Sequence, residues 1–156
     1  MSGLIRMSLD APEEIRPFEG DSGRLELVNL DEGPVGRATF KPGWRWSEHV
    51  KPIAGTGSCQ AAHVCYFVSG RMKVVMDDGE EMEYGAGDFA VMAPGHDAWI
   101  VGDEDCVVID WQGFADYAKR QRPAMETAGE NRRDIADVVD DSAEARDWIA
   151  TDQGHS

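Results

Sequence analysis

The feature that most constrains this chain is its punctuation. Between Arg24 and Trp111, short runs rich in Val, Ile, Phe, Tyr and Trp alternate with clusters of Gly, Pro and Asp. Such runs suit a pleated, half-buried surface, and the clusters supply the reversals between them. The spacing predicts strands over 24–29, 35–40, 45–50, 62–69, 71–76, 80–84, 89–93, 98–101 and 105–111. The clearest hairpin is Arg71 to Met76, Asp77-Asp78-Gly79, then Glu80 to Tyr84, because Asp-Gly accepts the positive φ of a tight turn. Strands this short have to close into a barrel or stack as a sandwich to hide their edges, so the chain reads as all-β.

Composition changes after Trp111. Ile135, Val138, Val139, Ala145, Trp148 and Ile149 fall at roughly helical spacing within an acidic stretch. The expected organisation is an N-terminal arm (1–23), one barrel (24–113) and an acidic C-terminal extension (114–156) with helical character. With 15 Lys plus Arg against 30 Asp plus Glu, the net charge of −15 repels phosphate backbones and anionic lipid, which argues against nucleic-acid and membrane partners. No apolar run approaches the roughly 20 residues of a membrane span, and the N-terminus lacks the pattern of a secretory signal. Cys59, Cys65 and Cys106 are odd in number and irregular in spacing, which fits reduced thiols and a cytoplasmic location.

Three histidines, His49, His63 and His96, lie inside the β region, and His155 lies in the tail. Neutral imidazole is a common ligand of divalent transition metals, and three from separate strands converge if the sheet curls into a barrel. Ordinary hydrogen-bonding histidines are the competing explanation. Along 62–69, His63, Cys65 and Phe67 share one side and Val64, Tyr66 and Val68 the other, with the inward side left open. Lys51 shares the parity of His49, whereas Glu48 does not. No nucleophile elbow, phosphate-binding loop or dinucleotide fingerprint occurs.

Gly43-Trp-Arg-Trp-Ser-Glu-His49, then His63-Val-Cys-Tyr-Phe-Val-Ser-Gly70, and finally Gly87-Asp-Phe-Ala-Val-Met-Ala-Pro94-Gly95-His96-Asp-Ala98 follow a recognisable spacing. Over roughly Gly36 to Trp111 the chain resembles the cupin superfamily, small β-barrels of jelly-roll type. The departures are several. His63 stands at the usual glutamate, Lys51 at the second histidine, Ala93 at the proline and Ala98 at the last histidine, and Pro52 to Ala62 lengthens a loop that carries Cys59.

The resemblance implies a single barrel, a homodimer, and one divalent ion (Zn, Fe, Mn or Ni) held by His49, His63 and His96. Lys51, Cys59, Cys65, Phe67 and Trp99 are the expected pocket residues. Two functional classes follow from it. One is a module that binds a small molecule; the other is a metal-dependent oxygenase, isomerase or lyase. A metal-free cup in which the imidazoles serve as hydrogen-bonding groups stays open as well.

Overall fold

A computed structural model describes residues 3–119; the helical reading of 132–149 and His155 lie outside them. Alternation decides which side of each strand is buried. Along β4 (His63–Ser69) the His63, Cys65 and Phe67 side is inward; along β7 (Phe89–Met92) it is Ala90 and Met92. On β8 (His96–Ile100) the inward residues are His96, Ala98 and Ile100, and on β9 (Cys106–Asp110) Cys106, Val108 and Asp110. Each large apolar side chain buried in this way contributes about 1.5–3 kcal/mol.

Two antiparallel sheets result. The larger runs β1 (Glu14–Pro17), β2 (Gly23–Leu30), β3 (Gly33–Phe40), β9, β4, β7; the smaller runs β6 (Glu81–Gly85), β5 (Arg71–Met76), β8. The β5–β6 hairpin turns where expected, with Gly79 at φ 95°. Gly70 (φ 74°) carries the chain from β4 to β5 flush against β9, where an added Cβ would stand 2.5 Å from the Cα of Cys106. Only glycine fits both the conformation and the gap.

Three parts depart from the sequence expectation. The stretch read as a strand over 45–50 is instead a pair of single-turn helices, α1 (Trp46–His49) and α2 (Lys51–Ala54). Their backbone bonds, such as Val50 N–H to Trp46 O at 3.0 Å, close locally and leave nothing for a ladder. Glu14–Pro17, assigned to an arm, pairs with β2 and adds a strand to the larger sheet.

The third departure concerns residues 114–117, expected in the extension. Phe114 and Tyr117 are buried in the core with Phe18, Phe40 and Trp44. Arg16 on β1 holds them there. Its guanidinium donates to the carbonyls of Phe114 (3.1 Å), Tyr117 (2.8 Å) and Ala115 (3.0 Å), and pairs with Glu14 at 2.9 Å. A buried cation this well satisfied is stabilising only while every partner is present. Arg16→Met is therefore expected to lower stability by about 2–4 kcal/mol, because it orphans buried carbonyls. Urea unfolding of the full chain measures this.

Candidate metal centre

His63 opens β4, His96 opens β8, and Cys59 lies on the long loop before β4. The loop is tied to the smaller sheet by a two-way backbone bridge. Cys59 N–H donates to His96 O (2.7 Å) and His96 N–H to Cys59 O (3.2 Å). The lengthened loop thus delivers a thiol to a fixed place between strands of different sheets. The donor atoms of Cys59, His63 and His96 all lie within 4.8 Å of one another, and all three residues are buried.

Each imidazole is oriented through its other nitrogen. His96 Nδ1–H donates to Ala93 O at 2.8 Å, which leaves Nε2 as the available donor atom. His63 Nδ1 meets Asp110 Oδ2 at 2.5 Å, and the other oxygen of that fully buried carboxylate accepts from the backbone N–H groups of Gln112 and Gly113, both at 2.7 Å. A carboxylate behind a ligating histidine is the usual outer support of a metal site. Gly113 leaves room for it, since a Cβ there would stand 2.2 Å from His63 Nδ1. Phe114 and Tyr117 close over the ring, each with its centroid 5.6 Å from that of His63.

The charges follow from this arrangement. Burial works to raise the Cys59 thiol, but hydrogen bonds and positive charge from His63 and His96 outweigh it and lower the pKa to about 6. For His63, burial works downward and is outweighed by Asp110 and Cys59, which raise it to about 9. Without metal, the pair is thiolate and imidazolium near neutral pH. Cys65 and Cys106 have no such partner, and burial pushes each up to about 12.

The donor set passes a fit test for zinc-like ions. Tetrahedral coordination with Zn–S about 2.3 Å and Zn–N about 2.0 Å puts sulfur and nitrogen about 3.5 Å apart. Cys59 Sγ and His63 Nε2 are 3.7 Å apart. The adjoining cavity, of about 30 Å³, is walled mainly by apolar residues, Phe40, Phe67 and Met92 among them. One buried side-chain polar atom among the described residues lacks a protein partner: Nε1 of Trp44, a residue that borders this cavity. Leaving such a group unsatisfied costs about 1–3 kcal/mol.

His49, expected as a ligand, stands outside this group. It lies on α1, its Nδ1 accepts from the backbone N–H of Arg45 (2.9 Å), and its ring edge faces Gly20. Lys51, expected in the pocket, is exposed on α2, because the helical turns cancel the strand parity that paired it with His49. Trp99 also lies outside the cavity wall, on the outward side of β8 beneath the Arg45 guanidinium at 4.4 Å. Cys65 and Phe67 do line the cavity. Asp110 was overlooked, although it shares alternation parity with the inward residues Cys106 and Val108.

Residues 44–108 match the EutQ-like cupin domain family, and the two antiparallel sheets are consistent with a cupin fold. No curated protein matches the sequence. Solved structures similar to it include a protein of unknown function from Acinetobacter sp. ADP1, 13% identical over 64% of this chain and 90% of that one, with a TM-score of 0.48. The polyketide cyclase RemF from Streptomyces resistomycificus is 13% identical over 70% of this chain and 79% of its own, with a TM-score of 0.49. Lactobacillus farciminis oxalate decarboxylase is 20% identical over 66% of this chain, which spans 32% of that enzyme, with a TM-score of 0.45.

The thiolate offers a direct measurement. In metal-free protein, ultraviolet thiolate absorbance is expected to grow as pH rises through about 6, from Cys59 alone. In His63→Ala only His96 is left to oppose the raising effect of burial, and the midpoint should move up from about 6.

Proposed function

We propose that this cupin is a small-molecule-binding protein that holds one divalent transition metal ion through Cys59, His63 and His96. The observation that carries the reading is the convergence of three buried donor atoms within 4.8 Å, two of them on imidazoles whose other nitrogen is already committed. Mixed sulfur and nitrogen donors favour zinc over the harder alternatives among iron, manganese and nickel. A bound ion supplies Lewis acidity and an open coordination position.

The chain's own residues set the conditions. Asp110 holds the His63 ring and its proton on Nδ1; the proton on His63 Nε2 leaves when a metal takes its place. Phe114 and Tyr117 keep bulk water from the ring. Cys59, His63 and Asp110 also line up as a thiol, base and carboxylate, the order found in nucleophilic enzymes. Both imidazoles offer a nitrogen beside the thiol, so the metal reading uses His96 as well, which the nucleophile reading does not. An oxygenase, isomerase or lyase would be built on the same centre.

Three free buried cysteines support a reducing, cytoplasmic setting. Among the described residues no helix is long and apolar enough to cross a membrane. Exposed Phe89 and Val91 on the edge strand β7 support a homodimer.

Metal analysis of the full chain, purified without chelator, tests the proposal. About one equivalent of transition metal is expected. It should be lost in Cys59→Ser, His63→Ala and His96→Ala, and kept in His49→Ala. Asp110→Asn should weaken zinc affinity about 10–100-fold. Negligible metal in the wild type, with none restored by refolding in Zn, Fe, Mn or Ni, would overturn the reading.

A further inference from the structure

The three donor residues are almost sealed from water: Cys59 is 2% exposed, His63 6% and His96 3%. Part of the wall has to move before an ion or any other reagent reaches them. Most of it is ill suited to moving. His63 and His96 begin strands paired with β7 and β9 in one case and with β5 in the other, and Cys59 is bridged to His96 through the backbone. Opening at any of these places breaks backbone pairing.

Residues 112–118 are held differently. They form turns and bends, and among the described residues no backbone hydrogen bond joins them to either sheet. At their start, the Gln112 and Gly113 N–H groups donate to Asp110. Beyond that point the polar grip comes from one side chain, Arg16 on the edge strand β1, which donates to the carbonyls of Phe114, Ala115 and Tyr117. Both oxygens of Glu14 align that guanidinium, at 3.0 and 2.9 Å. The rings add apolar packing, with Tyr117 edge-on to Phe18 at 6.1 Å and both Tyr117 and Phe114 against His63. A segment fixed by side chains parts from the fold at less cost than the sheets beneath it.

We infer that residues 112–118 are a lid over Cys59, His63 and His96, and that Arg16 is its latch. Access to the three donors is then by local opening of this segment with both sheets intact. For an ion the inference rests on the metal reading above; for a reagent that attacks the thiol it does not. None of the Arg16 hydrogen bonds goes to a donor residue, so its part is to set how often the lid is open.

The test treats the metal-free full chain with iodoacetamide and follows each cysteine by peptide mass spectrometry. Cys106, fully buried at the opposite end of β9 from Asp110, reports unfolding of the barrel. Arg16→Lys keeps the charge and loses the planar fork. In it Cys59 should be alkylated about tenfold faster, the loss of about one net hydrogen bond from the closed state, while Cys106 keeps its wild-type rate. Equal Cys59 rates in the two proteins, or a rise shared by Cys106, would overturn the latch.

A second measurement needs no variant. In wild-type protein, Cys59 alkylation should be nearly independent of urea well below the unfolding transition, because local opening exposes little surface, while Cys106 alkylation rises steeply. Parallel urea dependence of the two would mean that Cys59 is reached only by global unfolding, and the lid would be rejected. Uptake of Co(II), read from its thiolate absorption band, should also be about tenfold faster in Arg16→Lys. Equal uptake rates would overturn the lid as the route of the ion. Absence of the band in wild-type protein, with alkylation still faster in the variant, would overturn the metal reading and leave the lid standing.

Discussion

The Asp110 carboxylate is the interaction on which the rest of this site depends. It is fully buried at the end of β9, and one oxygen meets His63 while the other receives two backbone N–H groups from the turn that follows. A carboxylate stripped of water is costly unless its lone pairs are filled, and here they are. The same residue thereby fixes an imidazole on β4 and starts the reversal that brings Phe114 and Tyr117 over that imidazole. Side-chain orientation and chain path have one cause.

The long loop before β4 answers a different need. Its extra residues bring Cys59 alongside His96, and backbone bonds in both directions hold it there. Where the family pattern has a glutamate and further histidines, this chain has a different donor set. A thiol on a tethered loop stands with two histidines drawn from different sheets. The barrel is kept and the chemistry of its interior is rewritten, as expected when a fold is a scaffold for sites rather than their determinant.

The barrel was largely legible in the sequence because alternation and turn chemistry are local signals. The β5–β6 hairpin and the β8 and β9 segments fall within a few residues of where their patterns put them. The stretch from Trp44 to Lys51 was misleading for a physical reason. Trp and Val have high strand propensity, yet Trp46 and Val50 are both buried by a helical turn, so tertiary packing overrode the local preference. That single misreading carried His49 and Lys51 into the expected site together. His63 and His96 are legible although their motif is eroded, since one stands at the position of the family's glutamate and the other lies two residues before that of its last histidine, whereas His49, the histidine in register, is the one the helical turn removes. Asp110 in its role is not legible, because a lone inward charge acquires meaning only from what surrounds it in space.

The clasp of Arg16 on residues 114–117 bears on time as much as on structure. Phe114 and Tyr117 stand between His63 and the outside, and three carbonyl contacts from a distant strand hold them shut. Were the proposed ion held behind them, its exchange would be slowed by the need for this segment to part from the barrel, and a chelator would strip it at a pace that depends on that opening as well as on the equilibrium affinity.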